Sequence, residues 1–362
     1  MLSMAKSSKV VVSCAGPFGR YGEASVKACV MGGAHYVDIT GEVAFVERMI
    51  ADYGEVATNA GITLCPFAGY DCVPAELGMW LVGKALEEDG NDAKLGTLAL
   101  NFGGEGGGFP RGTLNTILDG VEGKGPSRKD GDPRFYPEEY RNVARSALSL
   151  SNFAFPTYQM GQFTGPNFMS VVNVPVLCRA ASTLGFTSDL KISDKVSIVS
   201  NPSIHNGYGL FGAQVYIAIL FTCGMASMIR PFRSWLRRKL ETYSYYGNPS
   251  GRVLLDVRGS STTNDGTYAT AKCTFPGDPG IYATGLFAAG VAGALLKATY
   301  LDSEFPLPLV GFHSPVAALH VCRPGLLVDH LEEMGAQIKV ELIPERRAAA
   351  REIDVSKLRS KL

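Results

Sequence analysis

Short apolar stretches separated by helix-length amphipathic segments open the chain. Val10-Val11-Val12 is a β-branched run ending in Cys14-Ala15-Gly16-Pro17, as a buried parallel strand does where it enters a turn at its carboxyl end. Residues 23–32 read as a helix and His35-Tyr36-Val37-Asp38 as a second strand. Thr40 is placed to cap a helix whose positions Val43, Val46, Met49, Tyr53, Val56 and Ala60 fall largely on one face, and Gly61 ends it. Residues 62–65 form a third strand, 69–74 a turn, and 75–86 a helix with Pro74 at its start. This alternation predicts an α/β fold with a doubly wound parallel sheet, in which ligands bind at the carboxyl ends of the strands. The turns 16–22 and 69–74 lie there.

Beyond Gly96 the pattern lengthens. Residues 97–102, 169–176, 253–258 and 268–275 read as strands, with Asn264-Asp265-Gly266 as a hairpin turn between the last two. A second, α+β domain with a mixed or antiparallel sheet is expected. Residues 119–134, rich in Gly and Pro among charges, read as an exposed loop, and the part after Ile281 as a close-packed helix. The expected organisation is a first domain over 1–94, a second over 95–300, and a C-terminal segment over 301–362 packing back on the first.

One segment needs a separate reading. Residues 208–229 carry no charge, and a helix of that length at about 1.5 Å per residue matches a hydrocarbon core of about 30 Å. Arg230, Arg233, Arg237, Arg238 and Lys239 follow, with Trp235 among them, as in a basic interfacial flank. Two readings stand: contact with a membrane or lipid surface, as a hairpin or in-plane helix rather than a full crossing, or burial within the second domain.

Composition narrows the function. A hydrophobic share of 46% with 19% charged residues belongs to a folded chain, and 34 basic against 34 acidic residues leave no field to hold nucleic acid. The eight cysteines include no C-x-x-C pair and have no identifiable activating partner, so they read as reduced thiols in a cytosol-facing compartment. His35 reads as structural, and His205, His313, His320 and His330 lack ligand spacing, so no metal is expected. The stretch MLSMAKSSKV has no apolar core of a secretory signal.

Four stretches, VVVSCAGPFGRYGEASVKAC (10–29), HYVDITGE (35–42), GYDCVPAELG (69–78) and FPGDPGIYATG (275–285), together resemble the saccharopine dehydrogenase-like oxidoreductases. That family includes trans-acting enoyl reductases and membrane- or lipid-droplet-associated oxidoreductases. The resemblance implies a Rossmann-like fold and hydride transfer between NADP or NAD and an apolar or lipid-like substrate. Family members open with a strand, a glycine-rich turn and a helix ahead of the equivalent of Val10. The chain therefore resembles an N-terminally truncated member, with 1–94 a partial dinucleotide-binding domain that lacks the first pyrophosphate-binding turn. Residues 310–316 also depart from the family, which has a glycine-rich turn and Thr-Pro-Ala there.

On this resemblance and their position at a strand end, Gly16, Pro17, Phe18, Gly19, Tyr21 and Gly22 would approach the nicotinamide half of the cofactor. A tight strand-to-helix turn is the alternative reading. Gly69 and Tyr70 join them as cofactor or substrate contacts. Glu42 and Asp71 are the candidate catalytic acids or bases; equally, Glu42 could favour a helix first turn and Asp71 could organise its own turn. Gly207 to Gly212 matches G-x-G-x-x-G, but no strand-helix-strand unit follows it, so it is not expected to hold a dinucleotide. The expected location is the cytosolic face of a membrane or lipid droplet, with the mitochondrion as alternative, and homo-oligomerisation is left open. The rival function is a non-catalytic scaffold on membranes or lipid droplets that has lost cofactor binding.

Overall fold

A computed structural model describes residues 1–88, 94–105, 108–123, 135–197, 206–262, 266–323, 325–343 and 351–353. The chain begins α1 (Leu2–Lys6), β1 (Val10–Ser13), α2 (Phe18–Gly32), β2 (His35–Asp38), α3 (Val43–Asn59), β3 (Thr63–Cys65) and α4 (Val73–Glu87). It continues β4 (Leu95–Glu105), α5 (Arg111–Val121), α6 (Arg141–Ala147), α7 (Leu150–Ala154), β5 (Thr157–Gln159), β6 (Gln162–Pro166), α8 (Ser170–Thr183) and β7 (Lys191–Ser197). There follow α9 (Asn206–Ser227), α10 (Arg230–Glu241), β8 (Arg252–Ser261), β9 (Tyr268–Pro276), α11 (Tyr282–Tyr300), β10 (Gly311–Phe312), α12 (Pro315–Leu319), α13 (Leu326–Glu333), β11 (Gln337–Ile343) and β12 (Arg351–Ile353).

The first sheet is parallel throughout, in the order β1-β2-β3-β10. Helices cover both faces: α2 and α3 pack against one another and against this sheet, while α11 lies against β1 and β2 and α12 against β3. Such double cover explains why β2 is buried at all four positions and shows no alternation. The second sheet has eight strands in the order β12-β11-β9-β8-β4-β7-β6-β5, antiparallel except for the β4–β7 pair. Its β8 and β9 strands alternate buried and partly exposed residues, the signature of a sheet with one face on the core. The expected α/β class, with a parallel sheet and a second mixed domain, is what the chain adopts. β10 joins the first sheet, whereas β11 and β12 join the second.

Helix α4 lies on the second sheet and reaches the first through α12. Thirteen of its residues from Val73 to Leu86 are buried, because it meets α8 and α12 as well as β8 and β9. A Cβ on Gly78 would lie 2.6 Å from Val257 Cγ2 on β8, so glycine sets how closely this helix approaches the sheet. Glu76, fully buried on the same helix, accepts hydrogen bonds from Ser314 Oγ (2.6 Å) and from the Val316 and Ala317 amides (3.2 and 2.9 Å).

Several elements differ from the sequence expectation. Residues 170–176 form the start of α8, not a strand: buried nearly all round, they leave no polar face for periodicity to reveal. The helix puts Ser170 and Asn173 one turn apart, and both donate to Asp194 on β7 (3.1 and 3.0 Å). Asp119 to Val121 belong to α5, and Asp119 is buried rather than in a loop; residues 124–134 lie outside those described. So do Asn264, Asp265 and His205, although β8 and β9 pair antiparallel as a hairpin. Thr40 does not cap α3, which has Glu42 at its N-cap position. Gly207 to Gly212 form the first turns of α9.

Gly78→Ala is expected to destabilise the fold by about 1–3 kcal/mol, because stiff, β-branched Val257 must yield. A lower urea midpoint at unchanged slope would register this; an unchanged midpoint would mean that α4 has room to move.

Candidate functional site

At the carboxyl ends of β1, β2 and β3 three turns converge. A buried side chain fixes two of them. Asp38, the last residue of β2 and 0% exposed, accepts hydrogen bonds from the Thr40 amide (3.0 Å), the Phe67 amide (3.2 Å) and the Tyr36 hydroxyl (2.8 Å). Its own carbonyl accepts from the Ala68 amide (2.7 Å). Phe67 is held at φ 65°, a left-handed conformation that a bulky residue keeps only when its surroundings impose it. Burial raises the Asp38 carboxyl to about 7, against the pull of its three donors.

From this anchor the chain places both candidate carboxylates. Glu42 sits two residues beyond Thr40, whose hydroxyl accepts the Glu42 amide (3.0 Å). Its Oε1 accepts from the Phe18 amide (2.7 Å) and its Oε2 from the Gly19 amide (2.9 Å), which caps α2 from a different element. The Thr116 hydroxyl of α5 donates to the same carboxylate (3.3 Å). Asp71 follows the second turn. A Cβ on Gly41 would lie 3.5 Å from Asp71 Oδ2, so the two turns touch. Asp71 is only partly buried and has no hydrogen-bond partner among the described residues, and desolvation raises its carboxyl to about 6. Beside it, the Tyr70 amide donates to Thr284 Oγ1 of α11 (3.3 Å), and burial, then the charges of Asp71 and Asp194, push the Tyr70 phenol upward.

The remaining residues singled out in the sequence divide by burial. Phe18 and Gly22 point into the core: the Phe18 ring lies 6.2 Å from that of Phe45, and a Cβ on Gly22 would meet Phe45 Cζ at 2.6 Å. Gly16 and Tyr21 are exposed, and Pro17 and Gly19 partly so. Gly69 is buried against Ile39 and Thr284. The fold thus brings Gly16–Gly22, Glu42 and Gly69–Asp71 to one sheet end. His35 Nδ1 accepts the Thr63 amide (3.0 Å) within the sheet.

Sequence reasoning missed Asp38, Thr116, Asp119 and Thr284. Asp119 is paired by Arg20 of α2 and, at 2.7 Å, by Arg237 of α10. For Asp38 a signal existed: an acid ending an otherwise apolar strand. For the other three, only the folded neighbours reveal a role. The best-formed cavities among the described residues are small and lie elsewhere, one beside Trp80 and one beside Asp194 and Lys195.

The turn offers a limited fit to a nicotinamide dinucleotide. With the Phe18 and Gly19 amides held by a carboxylate, it presents no cradle for a pyrophosphate, whose charge Glu42 would repel. Exposed Gly16 and Tyr21 leave a surface suited to an uncharged ring.

Comparison with known proteins gives partial matches. No family model matches the chain. It is 38% identical over 120 residues to a lipid droplet localized protein of Caenorhabditis elegans, covering 33% of this chain and 28% of that protein. It is also 38% identical over 126 residues to a saccharopine dehydrogenase-like oxidoreductase of Mus musculus, covering 35% and 29%. Among solved structures it is similar to saccharopine dehydrogenase (L-Glu forming) from Saccharomyces cerevisiae, at TM-score 0.45 and 14% identity over 94% of this chain and 86% of that one. Over about a third of its length the chain is thus similar to saccharopine dehydrogenase-like oxidoreductases. The matched segments span under a third of either curated relative.

The uncompensated Asp71 gives a pH signature. Its folded pKa lies above its unfolded value, so the fold binds the extra proton, and the stability this group contributes falls as pH rises from about 4 to about 6. Asp71→Asn is therefore expected to be more stable than wild type near pH 7.5, to lose about half of that advantage by pH 5 and most of it near pH 4, as read from urea midpoints at the three values. A pH-independent difference would mean that Asp71 is solvated.

Proposed function

We propose that this chain is the substrate-bearing part of a membrane- or lipid-associated oxidoreductase that transfers hydride between NADP or NAD and an apolar or lipid-like substrate. The observation that carries the reading is the unpartnered Asp71 carboxyl, raised to about 6 at the strand ends where α/β sheets bind ligands. The bound nicotinamide would supply or accept the hydride. Asp71 would exchange the matching proton with the reacting oxygen or carbon of the substrate, a task that favours an acid poised near neutrality. Tyr70 lies beside it as a substrate contact. Glu42, committed to two amides and a hydroxyl, would hold the turn Gly16–Gly22 in shape and exclude phosphate from it.

The lipid side of the proposal rests on α9. Over Gly209–Ser227 only 6% of the residues are buried, and Phe211, Phe221 and Met225 are 66%, 70% and 53% exposed. A surface this apolar calls for an interface. Both ends of α9 are tied to one folded body, through β6 at its start and through α10 and α5 at its end. An in-plane placement on a lipid surface therefore fits better than a crossing. The C. elegans relative named for lipid droplets points the same way. The low burial among the described residues also counts against the other sequence reading, a helix buried in the second domain.

The second reading, a non-catalytic lipid-surface scaffold, is favoured by the occupied α2 amides, which leave this turn without a phosphate site. Fluorescence titration of the natural full-length protein with NADPH and NADH separates the two. Under the enzyme reading at least one cofactor binds, and Asp71→Asn lowers kcat for an apolar enoyl or carbonyl substrate by about 100- to 10,000-fold while cofactor binding persists. No binding of either cofactor would leave the scaffold.

A further inference from the structure

The five basic side chains of α10 divide by what they face. Arg237 Nη2 lies 2.7 Å from Asp119 Oδ1 and 2.8 Å from Glu122 Oε2, and Arg233 Nε lies 3.6 Å from Glu122 Oε1. These two cations are neutralised against α5, on the side where Leu240 is buried. At 3.6 residues per turn the opposite side of the helix holds Trp235 flanked by Arg238 and Lys239. All three are exposed, as is Arg230 at the first position. Arg230, Arg238 and Lys239 have no ion-pair partner among the described residues. The acid of this helix, Glu241, is its last residue and lies toward Arg230, away from Trp235. Trp235 is 47% exposed and lies against the Phe232 ring at 5.6 Å.

This surface is continuous with the apolar one. α9 runs into α10 through Met228 and Ile229, 69% and 57% exposed. A neutral lipid surface would need only the apolar side chains and Trp235. The fold neutralises two arginines and leaves Arg238 and Lys239 free on either side of the tryptophan, so the unspent charge marks the chemistry of the partner.

We infer that the outward face of α10 binds the headgroups of an anionic phospholipid surface, with Arg238 and Lys239 at headgroup depth and Trp235 inserted between them. The inference rests on the interfacial reading of α9 and adds to it the charge of the lipid. Near such a surface each cation adds about 5-fold to affinity, so the two together add about 25-fold.

The test is co-sedimentation of the full chain with vesicles of phosphatidylcholine alone and of phosphatidylcholine with about a third phosphatidylserine. Binding to the anionic vesicles is expected to be about 25-fold tighter and to weaken as salt is raised. The combined variant Arg238→Gln, Lys239→Gln should bind both vesicle types equally. Both side chains are solvent-facing, so an unchanged circular dichroism melt confirms that the variant is folded. Equal wild-type binding to both vesicle types, unaffected by the double variant, would overturn the headgroup inference and leave the apolar interfacial reading intact. Binding to neither would overturn both.

Discussion

A single buried carboxylate, Asp38, fixes the geometry on which the candidate site depends. A parallel sheet delivers its strands to one end, but the turns beyond them are free unless something holds their amides. Asp38 takes the Thr40 and Phe67 amides, one from each neighbouring turn, and holds Phe67 in a conformation it would not otherwise keep. Desolvation of the carboxylate opposes this, and three donors offset only part of it. Glu42 and Asp71 stand where they do because they follow those two turns. Their fates differ for the same reason: Glu42 reaches the amides of α2 and the hydroxyl of Thr116, whereas Asp71 reaches no donor and carries the whole desolvation as a raised pKa.

Helix capping follows a related rule. α2 and α12 have no side-chain hydrogen bond from their own cap residues. Their first amides go instead to Glu42 and Glu76, carboxylates on other elements. Each bond therefore closes tertiary structure as well as a helix end, and its loss would cost both. Asp278 serves α11 more locally: burial raises its carboxyl, but the Asn248 amide, the Tyr245 hydroxyl and the α11 amides outweigh that and hold it below the usual carboxylate range.

These arrangements decide what the sequence could reveal. The alternation from Val10 to Leu86 was legible because each element carries its own period or its own breaker, and the strand-end positions of Glu42 and Asp71 followed from it. What Glu42 does was not legible: its partners lie 23, 24 and 74 residues away. α8 was misread because near-complete burial of its first turns erases the difference between a helix and a β-branched strand. Asp119 looked like loop chemistry because its neighbours are glycine and charge, yet two arginines from distant helices bury it.

Asp119 also joins the two halves of the functional reading. Arg20, one residue past the capped Gly19 amide, pairs with it from the site side, and Arg237 pairs with it from α10. Thr116 on the same α5 turns donates to Glu42. Helix α5 is thus held between the turn Gly16–Gly22 and α10. These bonds are charged and partly buried, hence worth more than surface pairs and less able to lengthen without breaking. A shift of α10 on a lipid surface must then either break the Asp119 and Glu122 pairs or carry α5 with it, and in the second case Thr116 and Arg20 move at the site.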